Sequence, residues 1–194
     1  MPSPAAKPPA AHIEWAKYLR AKVPGDAVHV ERRYDADETN AIAVFTSANA
    51  HGTVAATIGV MDENQASAGQ PPIATEILLD RRGAAGKIAN IAATIGFYIL
   101  KNGWRVAPGV TFAGMFSMYE PDLRVQHVVF VPPFQWEEGM TRVALGDRTI
   151  HPLLAVPITD GELRLVEAHG VDELQERWEH ALTDVLDWSR EGVA

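Results

Sequence analysis

FYILKNGWRVAPGVTF, Phe97 to Phe112, is the stretch whose reading decides the fold. Its first four residues end an apolar helix, and Asn102-Gly103 stops that helix, because glycine enters the left-handed region without a Cβ penalty. Trp104 is delivered next. Pro108-Gly109 then reads as a type II turn, since proline presets φ at its first corner and glycine permits a positive φ at its second. Phe112 follows the turn. An echo comes at His127 to Glu138, HVVFVPPFQWEE. This is a β-branched run that must stop or reach a sheet edge at Pro132-Pro133, because neither proline can donate a ladder hydrogen bond.

Upstream, the helix runs from about Ala84 to Leu100. Ile88, Ile91, Ala92, Ile95 and Ile99 repeat at three and four and form one apolar stripe. The opposite side carries Ala89, Ala93 and Gly96, small rather than charged, so both sides are expected to be covered. Earlier still, Val28–Tyr34, Asn40–Ser47 and His51–Met61 read as strands of an antiparallel meander with a turn from Ser47 to Gly52. Glu63–Pro72 reads as a polar loop and Ala74–Asp80 as a fourth strand. A short helix is expected from His12 to Lys22 with Trp15 and Leu19 inward, and residues 1–10, rich in Pro and Ala, are expected to be disordered.

Downstream, Leu123–Val131 reads as a strand. Arg142–Leu145 and Thr149–Ile158 are expected to pair as a hairpin through Gly146-Asp147. Thr159 and Glu162 have capping-box spacing and open a helix that Gly170 closes. The last helix is expected to carry Val171, Leu174, Trp178, Leu182 and Val185 on one stripe. The predicted class is α+β, a mostly antiparallel or mixed sheet packed against a central helix and C-terminal helices. Residues 11–194 are expected to form a single domain.

Composition bounds the function. A hydrophobic share of 47% and a charged share of 22% are ordinary globular values. With no cysteine, disulfides and thiolate metal sites are excluded. No apolar run suits a membrane span and the start has no signal-peptide core, so a cytoplasmic location is expected. The net charge of −8 is uneven: Asp160 to Ala194 holds ten acidic against three basic residues, Met1 to Pro24 four basic against one acidic. An acidic C-terminal face would repel nucleic acid and favour a basic protein partner; the same charge would also serve a solvated, solubilising helix face.

Motifs for chemistry are sparse. Arg81–Lys87, RRGAAGK, resembles a phosphate cradle, but a Walker loop needs Gly where Arg81 stands and Ser or Thr where Ile88 stands. The seven histidines show no i, i+4 pair or HExxH motif, so no metal site is expected, and His127 and His151 read as hydrogen-bonded structural residues. Ser47 and Ser117 lack a nucleophile elbow. Glu137 and Glu138 are adjacent and point apart. No catalytic residue, metal or cofactor is expected.

The motifs GWRVAPGVTF, HVVFVPPFQWEE and LGDRTIHPLLAVPIT, in that order, are similar to those of bacterial members of the suppressor-of-fused-like family. The resemblance covers about Ile73 to Trp178. It implies a fold and a way of acting, binding other proteins. Eukaryotic members restrain a transcription factor, and bacterial relatives look like immunity proteins of contact-dependent toxin systems. The motif positions Gly103, Trp104, Pro108, Gly109, Phe112, His127, Pro132 and Pro133 are carried over as mainly structural. By spacing, Tyr98 would match the groove tyrosine that meets the partner peptide in eukaryotic members. The acidic residue that accompanies it there falls near Val110, which makes a transcription-factor partner doubtful.

Among the aromatics, Trp104, Phe112 and Phe130 are expected in the core, whereas Tyr119, Phe134 and Trp136 flank turns and suit a partly exposed patch. The resulting expectation is a non-enzymatic protein-binding domain, an immunity protein that meets a basic toxin through Tyr98, Tyr119, Phe134 and Trp136. The alternative is a small-molecule or enzyme pocket beneath the Trp104–Phe112 turn, where Glu76, His127 and His151 would converge.

Overall fold

The computed structural model describes residues 7–23, 25–63, 73–136, 140–146 and 148–194. The elements are α1 (Ala10–Lys22), β1 (Ala27–Tyr34), β2 (Ala41–Ala48), β3 (Gly52–Ile58), β4 (Ile77–Arg82), α2 (Ile88–Asn102), β5 (Thr111–Phe112), β6 (His127–Val131), β7 (Val143–Leu145), β8 (Arg148–Ile150), β9 (Leu153–Ile158), α3 (Asp160–His169) and α4 (Val171–His180). Among the described residues, seven strands form one mixed sheet in the order β1-β2-β3-β4-β9-β6-β5, antiparallel except where β4 meets β9. The α+β class stands.

Strand periodicity sorts the side chains onto two faces. Val54, Ala56, Leu78, Val129, Val131, Leu154 and Val156 face one way, with Trp15 and Leu19 of α1, Leu165 of α3, and Leu174 and Trp178 of α4. Ala55, Ile77, Leu79, Val128, Phe130, Leu153 and Ala155 face the other, against α2. The central strands are therefore buried on both sides, which is why β9, LLAVPI, reads as an unbroken apolar run. On α2, Ile88, Ile91, Ile95 and Ile99 are at most 2% exposed, each contributing roughly 1.5–3 kcal/mol of burial.

Gly96 is what lets α2 sit close to the sheet. A Cβ there would lie 2.8 Å from Ile42 Cδ1 and 3.2 Å from Val60 Cγ2. Gly96→Leu is expected to cost about 1–3 kcal/mol through overpacking, read as a lower Tm in thermal unfolding by circular dichroism. An unchanged Tm would mean that α2 has room to move off the sheet.

Several boundaries differ from the sequence reading. The central helix starts at Ile88, not Ala84, because Gly83 and Gly86 both take positive φ and hold 83–87 as a turn. Thr149–Ile158 is two strands, broken at His151-Pro152. β8 pairs β7 in a separate hairpin, whereas β9 crosses into the main sheet, tied by His151 N–H to the Ala74 carbonyl and Leu153 N–H to that of Glu76. The turn residue Asp147 lies outside the described residues, as do 1–6 of the expected disordered terminus, 64–72 of the polar loop, and Glu137-Glu138.

The last helix ends at His180. Leu182 falls outside it at φ +50 and is 90% exposed, so it does not share the buried stripe of Leu174 and Trp178. The capping box of α3 forms as read, Thr159 Oγ1 accepting from Glu162 N–H and the Glu162 carboxylate from Thr159 N–H.

Candidate functional site

The opening stretch folds as its residues direct. Gly103 takes the left-handed cap of α2, and Ala107–Val110 is a turn closed by Val110 N–H to the Ala107 carbonyl at 3.0 Å, with Gly109 at φ +85. The result is an aromatic ladder. Tyr98 stacks on Trp104 at 4.5 Å, Trp104 meets Phe112 edge-on at 4.5 Å, and Phe112 meets Phe130 at 4.9 Å. Phe112 and Phe130 are core as expected. Trp104 is not: it is 37% exposed, with Tyr98 and Phe112 as its ring partners, and so joins core to surface.

Tyr98 also borders an open groove of about 520 Å³. Helical spacing builds one wall: Asn90, Ala93, Thr94, Phe97, Tyr98 and Lys101 fall three or four residues apart on α2. The other wall is the end of β1 and its turn, Arg33 to Ala36, and Tyr119 contributes a ring from the loop after β5. Tyr119 is held by a 2.5 Å hydrogen bond between its hydroxyl and that of Thr94.

The rim carries both charges. Asp35 accepts from the Asn40 side chain at 2.7 Å and from Thr39 N–H at 2.8 Å, and these bonds, that of the Asn40 side chain foremost, hold its carboxyl well below the usual range. Lys101 donates to Asp37 at 2.6 Å, which raises its pKa. Arg33 pairs with Glu31, while its buried Nε has no acceptor among the described residues.

The four residues expected to meet a partner are thus divided. Tyr98 and Tyr119 share the α2 groove. Phe134, 55% exposed, lines a separate cleft with α4, and half-buried Trp136 packs toward the α1-side core beside a third cleft. Pro132 is exposed and Pro133 buried, directly after β6 ends at Val131.

The expected convergence of Glu76, His127 and His151 does not form. Beneath the turn lies an apolar cleft of about 330 Å³ lined by Val106, Ala107, Pro108 and His151, but neither Glu76 nor His127 reaches it. Glu76 is fully buried elsewhere, bonded to Thr57, Gly59 and Met61. His127 accepts from Gly114 N–H at Nδ1, which places its proton on Nε2 to donate to Asp160 at 2.7 Å. In the phosphate-like turn the anion is supplied by the protein: Glu120 Oε1 accepts from Arg81 at 2.8 Å and from Lys87 N–H at 3.1 Å. Among the described residues no group of three His, Asp or Glu could hold a metal, and no helix is long and apolar enough to cross a membrane.

Sequence comparison matches residues 38–191 to the family described as Suppressor of fused protein. The chain is 37% identical over 122 residues to the Immunity protein YqcF of Bacillus subtilis (strain 168), a match that spans 63% of this chain and 64% of that protein. Among solved structures it is similar to a suppressor of fused homologue from Neisseria gonorrhoeae FA 1090, with a TM-score of 0.69 at 14% identity over 95% of this chain and 93% of that one. It is similar also to a chain of the Sufu–Fu complex, with a TM-score of 0.68 at 13% identity over 96% and 93%. At such identities these two likenesses concern the fold.

Proposed function

Because the chain belongs to the suppressor of fused family, we propose that it is a non-enzymatic protein-binding domain acting as an immunity protein, which binds a basic toxin and neutralises it. The observation that supports this best is its likeness in sequence to an immunity protein. The geometry agrees with it. Tyr98 and Tyr119 border an open groove whose rim offers ionic and hydrogen-bonding groups of both kinds, the arrangement of an anchor site for a protein segment. Binding at such a site works by mass action: the toxin's working surface is covered, and the acidic exterior speeds encounter.

The test is co-expression with a toxin domain encoded beside this chain. Growth should be restored and a complex should co-elute in gel filtration. Tyr98→Ala with Tyr119→Ala should weaken that complex at least tenfold, at about 2 kcal/mol for an anchor, while circular dichroism stays unchanged. Continued growth arrest beside a folded, soluble chain would reject the reading.

A further inference from the structure

The backbone at the end of α4 breaks two local rules at one residue. Thr183 N–H bonds the Trp178 carbonyl at 2.9 Å and Leu182 N–H that of Glu179 at 3.1 Å, the pair of bonds that defines a Schellman helix end. In that motif the left-handed position belongs to glycine, which lacks the Cβ that clashes there. Leu182 occupies it at φ +50 and stands 90% exposed, so no burial of its side chain offsets the strain of its backbone. Residues that break local rules without a structural return are where function is to be sought.

Leu182 does not stand alone. It lines a cleft of about 460 Å³ with Phe134, itself 55% exposed, over a floor of Trp178 and Val185. Along α4, Asp172, Gln175, Glu176 and Glu179 recur at three and four residues, which puts three carboxylates on the face that leads into this cleft. Asp172, Glu176 and Glu179 are exposed, and Arg177 is paired with Glu173 at 2.9 Å. Two exposed apolar anchors thus sit at the end of a row of negative charge.

We infer that this cleft docks a cationic amphipathic segment of a protein partner, its apolar side on Leu182, Phe134 and Trp178 and its lysines or arginines along Asp172, Glu176 and Glu179. The inference deepens the protein-binding reading and rests on it. It assigns the C-terminal acidic region a chemical complement, and it separates this surface from the α2 groove.

The probe is a 14-residue synthetic peptide with Lys and Leu at helical spacing, titrated into the isotope-labelled full chain by calorimetry and NMR. Binding should be one to one and should shift Gln175, the Trp178 indole and Leu182. Leu182→Gly should weaken it at least tenfold and raise Tm, because glycine suits the position. Glu176→Lys with Glu179→Lys should weaken it at least as much. Undiminished binding to Leu182→Gly, equal binding of a Lys/Ser peptide without apolar residues, or shifts confined to the α2 groove would each overturn the inference. Failure of the toxin co-expression test with this pattern intact would remove the toxin and leave the cleft. Rescue by the toxin test with Leu182→Gly behaving as wild type would remove the cleft alone.

Discussion

Arg190→Ala should cost about 3–5 kcal/mol of folding stability, the expected loss when one partner of a buried ion pair is removed. Glu162 is fully buried and Arg190 8% exposed. Arg190 Nη1 donates to Glu162 Oε1 at 2.7 Å and Nη2 to Oε2 at 3.0 Å, with a further bond from Nη2 to the Pro157 carbonyl at 3.0 Å. The same carboxylate accepts from the Trp178 indole at 2.9 Å and from Thr159 N–H at 2.9 Å. It therefore joins α3, α4 and the C-terminal segment at one point.

Burial works to raise the Glu162 pKa, but the Arg190 bonds and charge, together with the bonds from Thr159 and Trp178, outweigh it, and the carboxyl ends below its usual value. A lowered folded pKa means stability present above the unfolded value and lost as pH falls through the folded one. Removing Arg190 strands the charge. Urea unfolding followed by tryptophan fluorescence should show the loss at pH 7, and Glu162→Gln with Arg190→Met should recover part of it, because no unpaired charge then remains buried. A loss under 1 kcal/mol for Arg190→Ala would show that water reaches the carboxylate.

Glu76 should produce the second large effect, with the opposite dependence on pH. Its Oε1 accepts from Gly59 N–H at 2.7 Å and Met61 N–H at 3.1 Å, and its Oε2 from the Thr57 hydroxyl at 2.5 Å. Burial pushes its pKa up to about 8 from 4.5, against the lowering effect of those bonds. The folded state thus holds the proton more tightly than the unfolded one. The resulting stability is fully present below pH 4.5 and lost as pH rises toward 8, at up to about 1.4 kcal/mol per pH unit. Glu76→Gln keeps an acceptor for the two amides and should flatten this decline. Glu76→Ala leaves both amides buried without an acceptor and should cost roughly 1–3 kcal/mol for each at every pH. Unfolding curves at pH 5, 6, 7 and 8 check this. A wild-type stability that does not fall across that range would remove the assignment.

Much of the fold was legible in the sequence because it is governed by near neighbours. The helix stop at Gly103, the Pro108-Gly109 turn and the Thr159–Glu162 capping box are fixed by dihedral preference and by partners within four residues. The Ile88-to-Ile99 stripe predicted its own burial correctly. The break at His151-Pro152 was less readable. Its β-branched and apolar residues suit a strand on both sides, and only the backbone bonds to Ala74 and Glu76 show that the chain changes sheets there.

The candidate surfaces were legible only in part. Tyr98 and Tyr119 are 21 positions apart, and what joins them is the bond from Tyr119 to Thr94 across the groove. Arg33 and Lys101, on the groove's opposite walls, gave no local sign that they line one groove.

By itself, the sequence determined where helices and strands begin to differ, the α+β class, the family and the concentration of acid after Asp160. Those properties follow from residue type and short spacing. The tertiary structure alone decided that Trp104 reaches the surface, that Glu76 lies sealed behind Thr57 rather than in a cleft, and that Leu182 stands in water beside Phe134. Exposure depends on what packs across from a residue, and Phe134, which lines the same cleft as Leu182, comes from a loop 48 positions earlier in the chain.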